Sequence, residues 1–320
     1  MHSHDDPFRG AAALVTGASR GLGLLIAGEL ADRGARVMIC ARDPEELATA
    51  ERQLRSRGGT VASTVCDLAE PDAPERLVAA TVERFGRLDV LVNNAGLIQV
   101  GPLEAFGTED FDRALDVMVR APVRLVLAAL PGMRERRHGR IVNIASIGSR
   151  VPAPHLLPYV TAKFALAGLS AGLRAELAAD GITVTTVLPG LMRTGSHRAA
   201  AFAGRPEREY AWFAPAAGMP LLSMDAGRAA RAVVRAAGRG RPELVLTPAA
   251  KLGSRVYGLA PATTTRALTL AARLLPSGGR HPSRPVDGTR AAAEAERRHP
   301  LVGALTALGD RAGRHTNEPG

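Results

Sequence analysis

Short apolar segments alternate with helical patterns along the first 190 residues of the chain. The apolar segments are rich in Val, Ile and Leu, which predicts buried strands, and the helical patterns between them mostly end at glycine. The predicted strands are 11–16, 35–41, 60–67, 88–96, 139–146 and 182–190, and the predicted helices are 23–34, 44–58, 74–86, 109–137 and 158–181. Continuous apolar strands linked by helices indicate a parallel sheet covered on both faces, so we predict an α/β, Rossmann-like, doubly wound parallel sheet. Pro122 and Pro131 are expected to bend or interrupt the long fourth helix.

The alternation weakens beyond Gly190. The pattern predicts one more helix, a last edge strand, and an amphipathic helical segment that breaks at Pro261. The end of the chain is rich in Pro, Gly and Arg, and we expect it to pack poorly and to be partly disordered, except over 300–313. These segments are 227–240 (helix), 242–248 (strand), 251–275 (amphipathic) and 276–320 (tail), and they follow a flexible N-terminus (1–10) and a single domain (11–250).

Composition and charge exclude several classes of protein. The chain has 320 residues, of which 46% are hydrophobic and 22% charged, as in globular proteins. Aromatic residues make up 3%, too few for a base-stacking nucleic-acid platform. The net charge of +10 lies entirely in residues 197–320, which hold 19 basic and 9 acidic side chains. Such a segment binds anionic lipid or nucleic acid in some proteins and more commonly forms a solvated face, which is the interpretation favoured here.

The termini and the cysteines suggest where the protein is located. The N-terminus is polar and acidic, unlike a secretory signal, and no apolar stretch is long enough to span a membrane. Cys40 and Cys66 lie in strand-like segments, so two buried thiols are favoured over a disulfide, and no spacing indicates a metal site. These features predict a soluble, cytoplasmic protein.

A glycine-rich segment, TGASRGLG from Thr16 to Gly23, joins the first predicted strand to the first predicted helix. Ligands of open α/β sheets bind at the carboxyl ends of the strands. Glycines at 17, 21 and 23 let the backbone approach a pyrophosphate, and the N-terminus of the helix offers free N–H groups to its negative charge. The alternative is a tight turn without a ligand, and the strand before and helix after favour the nucleotide site.

The end of the second predicted strand indicates which nucleotide is preferred. NAD sites carry an acidic residue there for the ribose 2′-hydroxyl, whereas this strand ends with Cys40, Ala41 and Arg42. Arg42 and Arg20 suit a 2′-phosphate because guanidinium groups bind phosphate through paired hydrogen bonds. We therefore predict NADP(H) in preference to NAD(H). Asp43 leaves an alternative, since it caps the next helix but would favour NAD if it turned to the ribose.

The segment YVTAK, Tyr159 to Lys163, places one of only two lysines of the chain four residues after a tyrosine. Residues four apart share one face of a helix, so the two side chains point the same way. A neighbouring lysine lowers the pKa of a phenol from about 10 towards the range of a working proton donor. The alternative is an ordinary surface pair.

In these motifs the chain resembles the short-chain dehydrogenase/reductase family in its single-domain form. The resemblance covers residues 11–195 and continues more weakly to about 250. The matching motifs are Thr16–Gly23 (Thr-Gly-x3-Gly-x-Gly), Asn93–Gly96 (Asn-Asn-Ala-Gly), Ser146, Tyr159–Lys163 (Tyr-x3-Lys), the turn Pro189–Gly190 with Thr194, and Asp67 near the expected adenine. They occur in the family's order and spacing, which makes the set specific.

The resemblance implies an NADP(H)-dependent oxidoreductase that interconverts a carbonyl and an alcohol. It implies that Tyr159 exchanges a proton with the substrate oxygen, that Lys163 lowers the tyrosine pKa and binds the nicotinamide ribose, and that Ser146 hydrogen-bonds the substrate oxygen. It implies a small-molecule substrate, a homo-oligomer and no metal. The residues expected at the nucleotide are Gly17, Ser19, Arg20, Gly21, Leu22, Arg42, Asp67, Leu68, Asn93, Ala95, Tyr159, Lys163, Pro189 and Thr194.

One position departs from the family pattern. The family commonly relays protons through an asparagine 22 residues after the Asn-Asn-Ala-Gly glycine, and here that position is Met118. A thioether is a weak acceptor and cannot replace an amide. Either a backbone carbonyl or another group holds the relay water, which we favour because Pro122 distorts the helix nearby, or the proton path is slowed or altered.

Residues 191–224 are expected to form a lid over the substrate. Their apolar side chains suggest a hydrophobic ketone or alcohol, such as a lipid, steroid or polyketide-like group, although core or dimer packing explains them equally well. The residues concerned are Leu191, Met192, Phe202, Tyr210, Trp212, Phe213, Met219, Leu221 and Leu222. The segment 251–275 adds to this lid, packs on a neighbouring subunit or touches a membrane surface, and His155 is a further candidate at the substrate entrance.

Two other functions are compatible with the motifs. A nucleotide-binding regulator or scaffold without turnover would explain Met118 and the basic final third, but the intact set of Ser146, Tyr159 and Lys163 argues against it. An epimerase or dehydratase on the same fold is disfavoured by the glycine spacing and by the lack of a large substrate domain.

Overall fold

The computed structural model describes residues 6–218, 223–277, 285–298 and 300–318. Its strands are β1 (Ala12–Thr16), β2 (Arg36–Ala41), β3 (Thr60–Val65), β4 (Val90–Asn93), β5 (Gln99–Val100), β6 (Gly139–Ile144), β7 (Ile182–Leu188), β8 (Leu191–Arg193), β9 (Ala201–Phe202), β10 (Ser223–Asp225), β11 (Glu243–Val245) and β12 (Val286–Asp287). Its helices are α1 (Gly21–Asp32), α2 (Pro44–Ser56), α3 (Ala73–Phe85), α4 (Thr108–Leu115), α5 (Ala121–Glu135), α6 (Leu157–Glu176), α7 (Ser196–Ala199), α8 (Pro206–Gly218), α9 (Ala226–Gly238), α10 (Pro248–Leu259), α11 (Pro261–Ala272), α12 (Gly288–Arg298) and α13 (Pro300–His315).

Seven strands form one parallel sheet in the order β11-β7-β6-β4-β1-β2-β3. Alternate residues of β1 enter different apolar cores, with Ala13 and Val15 facing α1, α2 and α9, and Ala12 and Leu14 facing α3 and α5. Because both faces are covered by helices, the central strand β1 is apolar at four consecutive positions, 12–15, as the continuous apolar segments predicted. The predicted doubly wound parallel sheet is confirmed.

The long fourth helix is interrupted as the prolines predicted. The segment Asp116–Arg120 forms a π-helical turn between α4 and α5, and the backbone N–H of Ala121 donates to the carbonyl of Asp116. Pro122 follows in the first turn of α5 and has no N–H, so a carbonyl of this turn lacks its helix donor. By contrast, Pro131 lies inside α5 without ending it.

Both ends of the chain pack more closely than the sequence predicted. Phe8, within the predicted flexible N-terminus, is fully buried in the core beside α9, and the N–H of Gly10 donates to the carbonyl of Gly34. Helices α12 and α13 occupy much of the predicted poorly packed tail. Alanines of α12 form its buried face, and small side chains let that helix approach α8 closely. Composition did not reveal this face because Pro, Gly and Arg dominate the surrounding sequence.

Helices α10 and α11 expose much of their apolar surface. The helical segment breaks at Pro261 as predicted, and Leu259 and Leu274 are each 88% exposed. Contact of residues 251–275 with a membrane or another subunit stays a prediction. No helix within the described ranges combines the length and apolarity needed to cross a bilayer. Cys40 and Cys66 are buried and free, as predicted.

Candidate active site at the carboxyl ends of the strands

The candidate site lies where the sheet order diverges, between β1 and β4. The chain leaves β1 towards β2 on one side, while β4 and β6 lie on the other side. Loops that leave these strands in opposite directions open a crevice at the strand ends. The glycine-rich segment follows β1, Asn93 ends β4, and Ser146 follows β6. The topology therefore brings motifs that are far apart in sequence to one edge of the sheet.

Glycines at three positions let the loop after β1 pack closely. Gly17 has a φ of 61°, and a Cβ there would lie 2.8 Å from the Cα of Ala95. A Cβ on Gly23 would lie 2.3 Å from the carbonyl oxygen of Gly17. Gly21 begins α1 at a φ of 59°, a conformation that side chains disfavour. The side chain of Arg20 does not cap α1, so the first N–H groups of the helix receive no hydrogen bond acceptor from it.

Thr16 and Asn94 connect this loop to the end of β4. The hydroxyl of Thr16 accepts hydrogen bonds from the N–H groups of Asn94 (2.9 Å) and Ala95 (3.0 Å). The side-chain amide of Asn94 donates to the carbonyls of Thr16 and Gly17, both at 3.0 Å. Four hydrogen bonds thus fix the glycine-rich segment against the neighbouring strand end.

Ser146, Tyr159 and Lys163 come together beside this loop. Tyr159 and Lys163 lie one turn apart on α6, and a Cβ on Gly148 would lie 3.3 Å from the Oγ of Ser146 and 3.4 Å from Cε1 of the Tyr159 ring, so Ser146 and Tyr159 face the same point. The Oγ of Ser146 accepts from the N–H of Gly148 at 2.9 Å. The Nζ of Lys163 lies 5.7 Å from the centre of the Tyr159 ring and donates to the carbonyl of Ile144 at 2.7 Å. The three side chains form one cluster, which rules out an exposed surface pair.

Burial dominates the protonation of this cluster. It raises the pKa of Tyr159 above its ordinary value, and the hydrogen bond with Ser146 offsets only part of that rise. Burial also lowers the pKa of Lys163 to about 8. The expected lowering of the tyrosine pKa by Lys163 is therefore not found. The physical reason is that Nζ is directed to the carbonyl of Ile144, while partial burial of the phenol disfavours its charged form.

Met118 lies in the π-helical turn and is fully buried. A Cβ on Gly96 would lie 3.4 Å from its Sδ and 3.6 Å from the Nζ of Lys163, so the thioether and the amine share one wall of the site. The sulfur is a weak acceptor. A backbone carbonyl of the same turn is a stronger acceptor, and Pro122 offers no N–H to occupy it, which is compatible with the first of the two alternatives for the proton path.

Arg20, one of the two arginines predicted to bind a 2′-phosphate, already contacts a carboxylate. The Nη1 of Arg20 lies 2.7 Å from Glu46, and the Oγ of Ser19 donates to the same carboxylate at 3.1 Å. Arg42 is exposed just after β2. Asp43 accepts from two backbone N–H groups at the start of α2, both at 2.9 Å, so it acts as the helix cap and does not turn to the ribose.

Other predicted nucleotide residues lie around the crevice. Asn93 donates to the side chain of Asn143 at 2.8 Å, while its buried Oδ1 has no hydrogen-bond partner among the described residues. Burial on its own would raise the pKa of Asp67, but hydrogen bonds from the N–H of Ala69 and from Arg113 lower it overall. The positions that follow β1, β3, β4, β7 and β8 include Leu22, Leu68, Ala95, Pro189 and Thr194. The glycine loop and the orphan amide oxygen of Asn93 fit a dinucleotide.

Sequence reasoning missed part of this crevice. Residues 313–318, which we call the tail segment, lie against the glycine-rich segment, with the carbonyl of Thr316 accepting from the N–H of Gly21 at 2.8 Å. Glu46, which contacts Arg20 and Ser19 in the crevice, was also not identified from the sequence. No sequence signal connects residues almost 300 positions apart, because periodicity reports only on local structure.

The substrate side of the crevice is built by packing contacts and an open cavity. Phe202 and Tyr210 are fully buried in a cluster with the alanines of α12, and Trp212 and Phe213 pack against that cluster. These side chains therefore do not carry the argument for a hydrophobic substrate. Met219, Leu221 and Leu222 lie outside the described residues.

A cavity of about 460 Å³ lies between the loops around residues 101–104 and 154–157 and the end of α11. His155 lines it and contacts the buried carboxylate of Glu209 at 2.9 Å. Leu275 and Ala272 line the opposite wall. Three roles are predicted for residues 251–275. The position of Ala272 and Leu275 in the cavity wall supports one of them, a contribution to the lid.

Comparison with known proteins agrees with this geometry. A family model described as short chain dehydrogenase matches residues 11–202. A protein named as a ketoacyl reductase of the granaticin polyketide synthase of Streptomyces violaceoruber is 43% identical over 187 residues, covering 57% of this chain and 68% of its own. The fatty acyl-CoA reductase of Acinetobacter baylyi is 33% identical over 271 residues, covering 84% of this chain and 86% of its own.

A crystal structure of a variant of actinorhodin polyketide ketoreductase with NADPH shares 34% identity and a TM-score of 0.67. The match covers 74% of this chain and 95% of that one. The chain therefore belongs to the short-chain dehydrogenase/reductase family, a family of oxidoreductases that act on carbonyl and alcohol groups.

Replacing Thr16 with valine should test the connection between β1 and β4. Valine keeps the shape but removes the acceptor of two N–H groups, so the free energy of unfolding is expected to fall by about 1–3 kcal/mol in urea denaturation. Thr60→Val, at an exposed position that begins β3, is the control and should change it by less than about 0.5 kcal/mol. Equal effects of the two substitutions would contradict the role given to the Thr16 hydroxyl.

Proposed function

We propose that this protein is an NADP(H)-dependent oxidoreductase that reduces a carbonyl to an alcohol, with Tyr159 as the proton donor. The observation that carries the proposal is the cluster of buried Ser146 and Lys163 with half-buried Tyr159, at the carboxyl ends of the strands with the glycine-rich segment. When bound, the nicotinamide supplies the hydride. The chain's own residues hold the substrate oxygen and deliver the proton.

The protonation of the cluster is compatible with reduction. The pKa of Tyr159 lies above its ordinary value of about 10, so the phenol is protonated at neutral pH, as reduction requires. The hydroxyl of Ser146 donates to the substrate oxygen as negative charge develops on it. Lys163, with a pKa of about 8, is mostly charged at pH 7 and can bind the nicotinamide ribose once it leaves the carbonyl of Ile144.

A proton must reach Tyr159 again after each turnover. Met118 cannot supply the polar contact that an asparagine would. We assign this role to a backbone carbonyl of the π-helical turn, since Pro122 offers no N–H to that turn and a carbonyl is a stronger acceptor than a thioether. The family's asparagine side chain is then not required for a connected water path.

NADP(H) is the proposed cofactor because the positions expected near the ribose carry positively charged side chains. The second strand ends at Arg42 without a carboxylate aimed at the ribose, and Arg20 lies in the glycine-rich segment. Four solved structures similar to this chain contain NADP or NADPH. Glu46 opposes this preference, because Arg20 must give up part of its ion pair to bind a 2′-phosphate.

The proposed substrate is a ketone or acyl compound with an apolar part. Pro102, Leu103, Leu157 and Leu275 give the cavity beside His155 apolar walls. The granaticin relative is named for ketoacyl reduction, and the Acinetobacter relative, whose similarity extends beyond the residues matched by the family model, is named for fatty acyl-CoA. Location in the cytoplasm and assembly into a homo-oligomer stay predictions.

Tyr159→Phe should separate chemistry from binding. Because the hydroxyl is the proposed proton donor, kcat for carbonyl reduction is expected to fall about 100- to 10,000-fold, while NADPH binding stays nearly unchanged. Tyr257→Phe, a tyrosine on α10 that is not part of the cluster, is the matched control for loss of a phenol hydroxyl and should keep full activity. Retained turnover in Tyr159→Phe would contradict the mechanism.

Arg42→Glu should test the cofactor preference. Loss of a charge-assisted contact to the 2′-phosphate is worth about 1.5–3 kcal/mol, so the Kd for NADPH is expected to rise roughly 10- to 100-fold while that for NADH changes little. Arg52→Glu, an exposed arginine on α2, is the control for net charge. Equal losses for both nucleotides would show that Arg42 does not read the phosphate.

The alternative is a nucleotide-binding regulator or scaffold without turnover. Met118 at the usual relay position is the observation that favours it. A panel of aliphatic ketones and acyl thioesters, assayed by NADPH oxidation, separates the two functions. Tight NADPH binding without turnover of any member would favour the regulator.

A further inference from the structure

The tail segment makes hydrogen bonds to residues predicted to contact the nucleotide. The carbonyl of Thr316 accepts from the N–H of Gly21 at 2.8 Å, and the side-chain amide of Asn317 donates to the carbonyl of Ser19 at 2.9 Å. The hydroxyl of Thr316 donates to the carbonyl of Thr194 at 2.8 Å. The segment thus bridges both sides of the crevice, from the glycine-rich segment to the loop after β8.

Close approach leaves no space between the tail segment and the loop. A Cβ on Gly21 would lie 2.8 Å from an Oε1 of Glu318, and a Cβ on Gly195 would lie 2.7 Å from the Cα of Gly313. The N–H of Gly21, at the first turn of α1, is a donor that a bound phosphate would use. In this structure it is already satisfied by Thr316.

Glu318 brings a negative charge to the place where a phosphate is expected. Its side chain is only 4% exposed, and its Oε2 lies 3.3 Å from the Nε of Arg20. That oxygen nevertheless has no hydrogen-bond partner among the described residues. Burying a carboxylate without a full set of hydrogen bonds is costly. The contact therefore resembles anion binding but is poorly satisfied, as a displaceable group would be.

We propose that the tail segment is an intramolecular occupant of the cofactor site, lying where the diphosphate of a nicotinamide dinucleotide binds, so that the cofactor binds only when the segment leaves. The proposal rests on the proposed function, because it takes the glycine-rich segment as the nucleotide site. Displacement would also free Arg20 from Glu318 for the 2′-phosphate.

Docking of the tail segment in the crevice should depend on pH. Burial raises the pKa of Glu318 from about 4.5 to about 7, Arg20 opposes this rise and Glu46 adds to it. Thr194 and Gly195, which also pack against the segment, carry no charge. Because the docked form holds its proton more tightly than the free form, docking is strongest below about pH 4.5, weakens as the pH rises to about 7, and is constant above that.

The first test compares NADPH binding, measured by the fluorescence of the reduced nicotinamide, in the full chain and in a chain that lacks residues 316–320. The full chain is expected to bind about tenfold more weakly, since only the undocked fraction is competent. The ratio of the two affinities should shrink between pH 5.5 and 7. Equal affinities would overturn the proposal. No binding by either chain would contradict the nucleotide site itself, and the proposal with it.

Glu318→Gln is the matched point variant. It is expected to weaken NADPH binding, whereas removal of residues 316–320 is expected to strengthen it. An amide carries no charge into the crevice, so the segment should dock more tightly, and NADPH should bind several-fold more weakly than in the unmodified chain at pH 8. In the full chain the Glu318 carboxyl makes NADPH binding depend on pH, and this dependence should disappear in the variant. Tighter NADPH binding in Glu318→Gln would overturn the proposal, even if the shortened chain failed to fold.

Hydrogen exchange in the full chain gives a readout that needs no variant. The N–H groups of Thr316 and Glu318 donate to the carbonyl of Gly313 at 3.0 and 3.1 Å. Saturating NADPH is expected to speed exchange at these amides as the segment leaves, with the amides of β1 as the internal control. Unchanged protection of the segment with NADPH bound would overturn the proposal.

Discussion

The hydroxyl of Thr16 is the contact on which the rest of the site depends. It accepts from two N–H groups after β4, while the amide of Asn94 donates back to the loop after β1. Parallel strands alone would bring the two ends to one edge of the sheet but would not fix the spacing of the loops that follow them. Once they are fixed, α1 begins at Gly21, whose N–H donates to the tail segment in the crevice. The cluster on α6 then lies beside whatever that N–H binds.

The sequence predicted what depends on local pattern. Apolar periodicity located the strands of the sheet, Asp43 was recognised as a cap, and Pro122 as a distortion of the long helix. Three features depend on distant contacts and were missed or mistaken: the burial of Phe8, the alanine face of α12, and the docking of Glu318. Each is decided by the partner that a side chain meets after folding, which the residue type alone does not encode.

The same limit explains the apolar residues of the lid. Phe202 and Tyr210 are the residue types that would line a hydrophobic cavity, yet they fill a small core under α12 and α13. An aromatic side chain is stabilised by any apolar surface, whether substrate or protein. The open cavity lies elsewhere, beside His155 and the end of α11. Pattern alone left lid and core as alternatives, and packing separates them.

Two buried charges of opposite sign belong to one crevice, and their partners differ. Lys163 is fully enclosed but donates to a backbone carbonyl, so its charge is partly satisfied even as its pKa falls to about 8. Glu318 is almost as buried, yet one oxygen has no hydrogen bond and its pKa rises to about 7. A charge that is kept in place is expected to have a good partner, whereas a poorly satisfied one lowers the stability of the state that buries it. A crevice lined with helix N–H groups and arginine attracts anions generally. The tail segment meets that requirement imperfectly, and a diphosphate with more oxygens and more charge would meet it better.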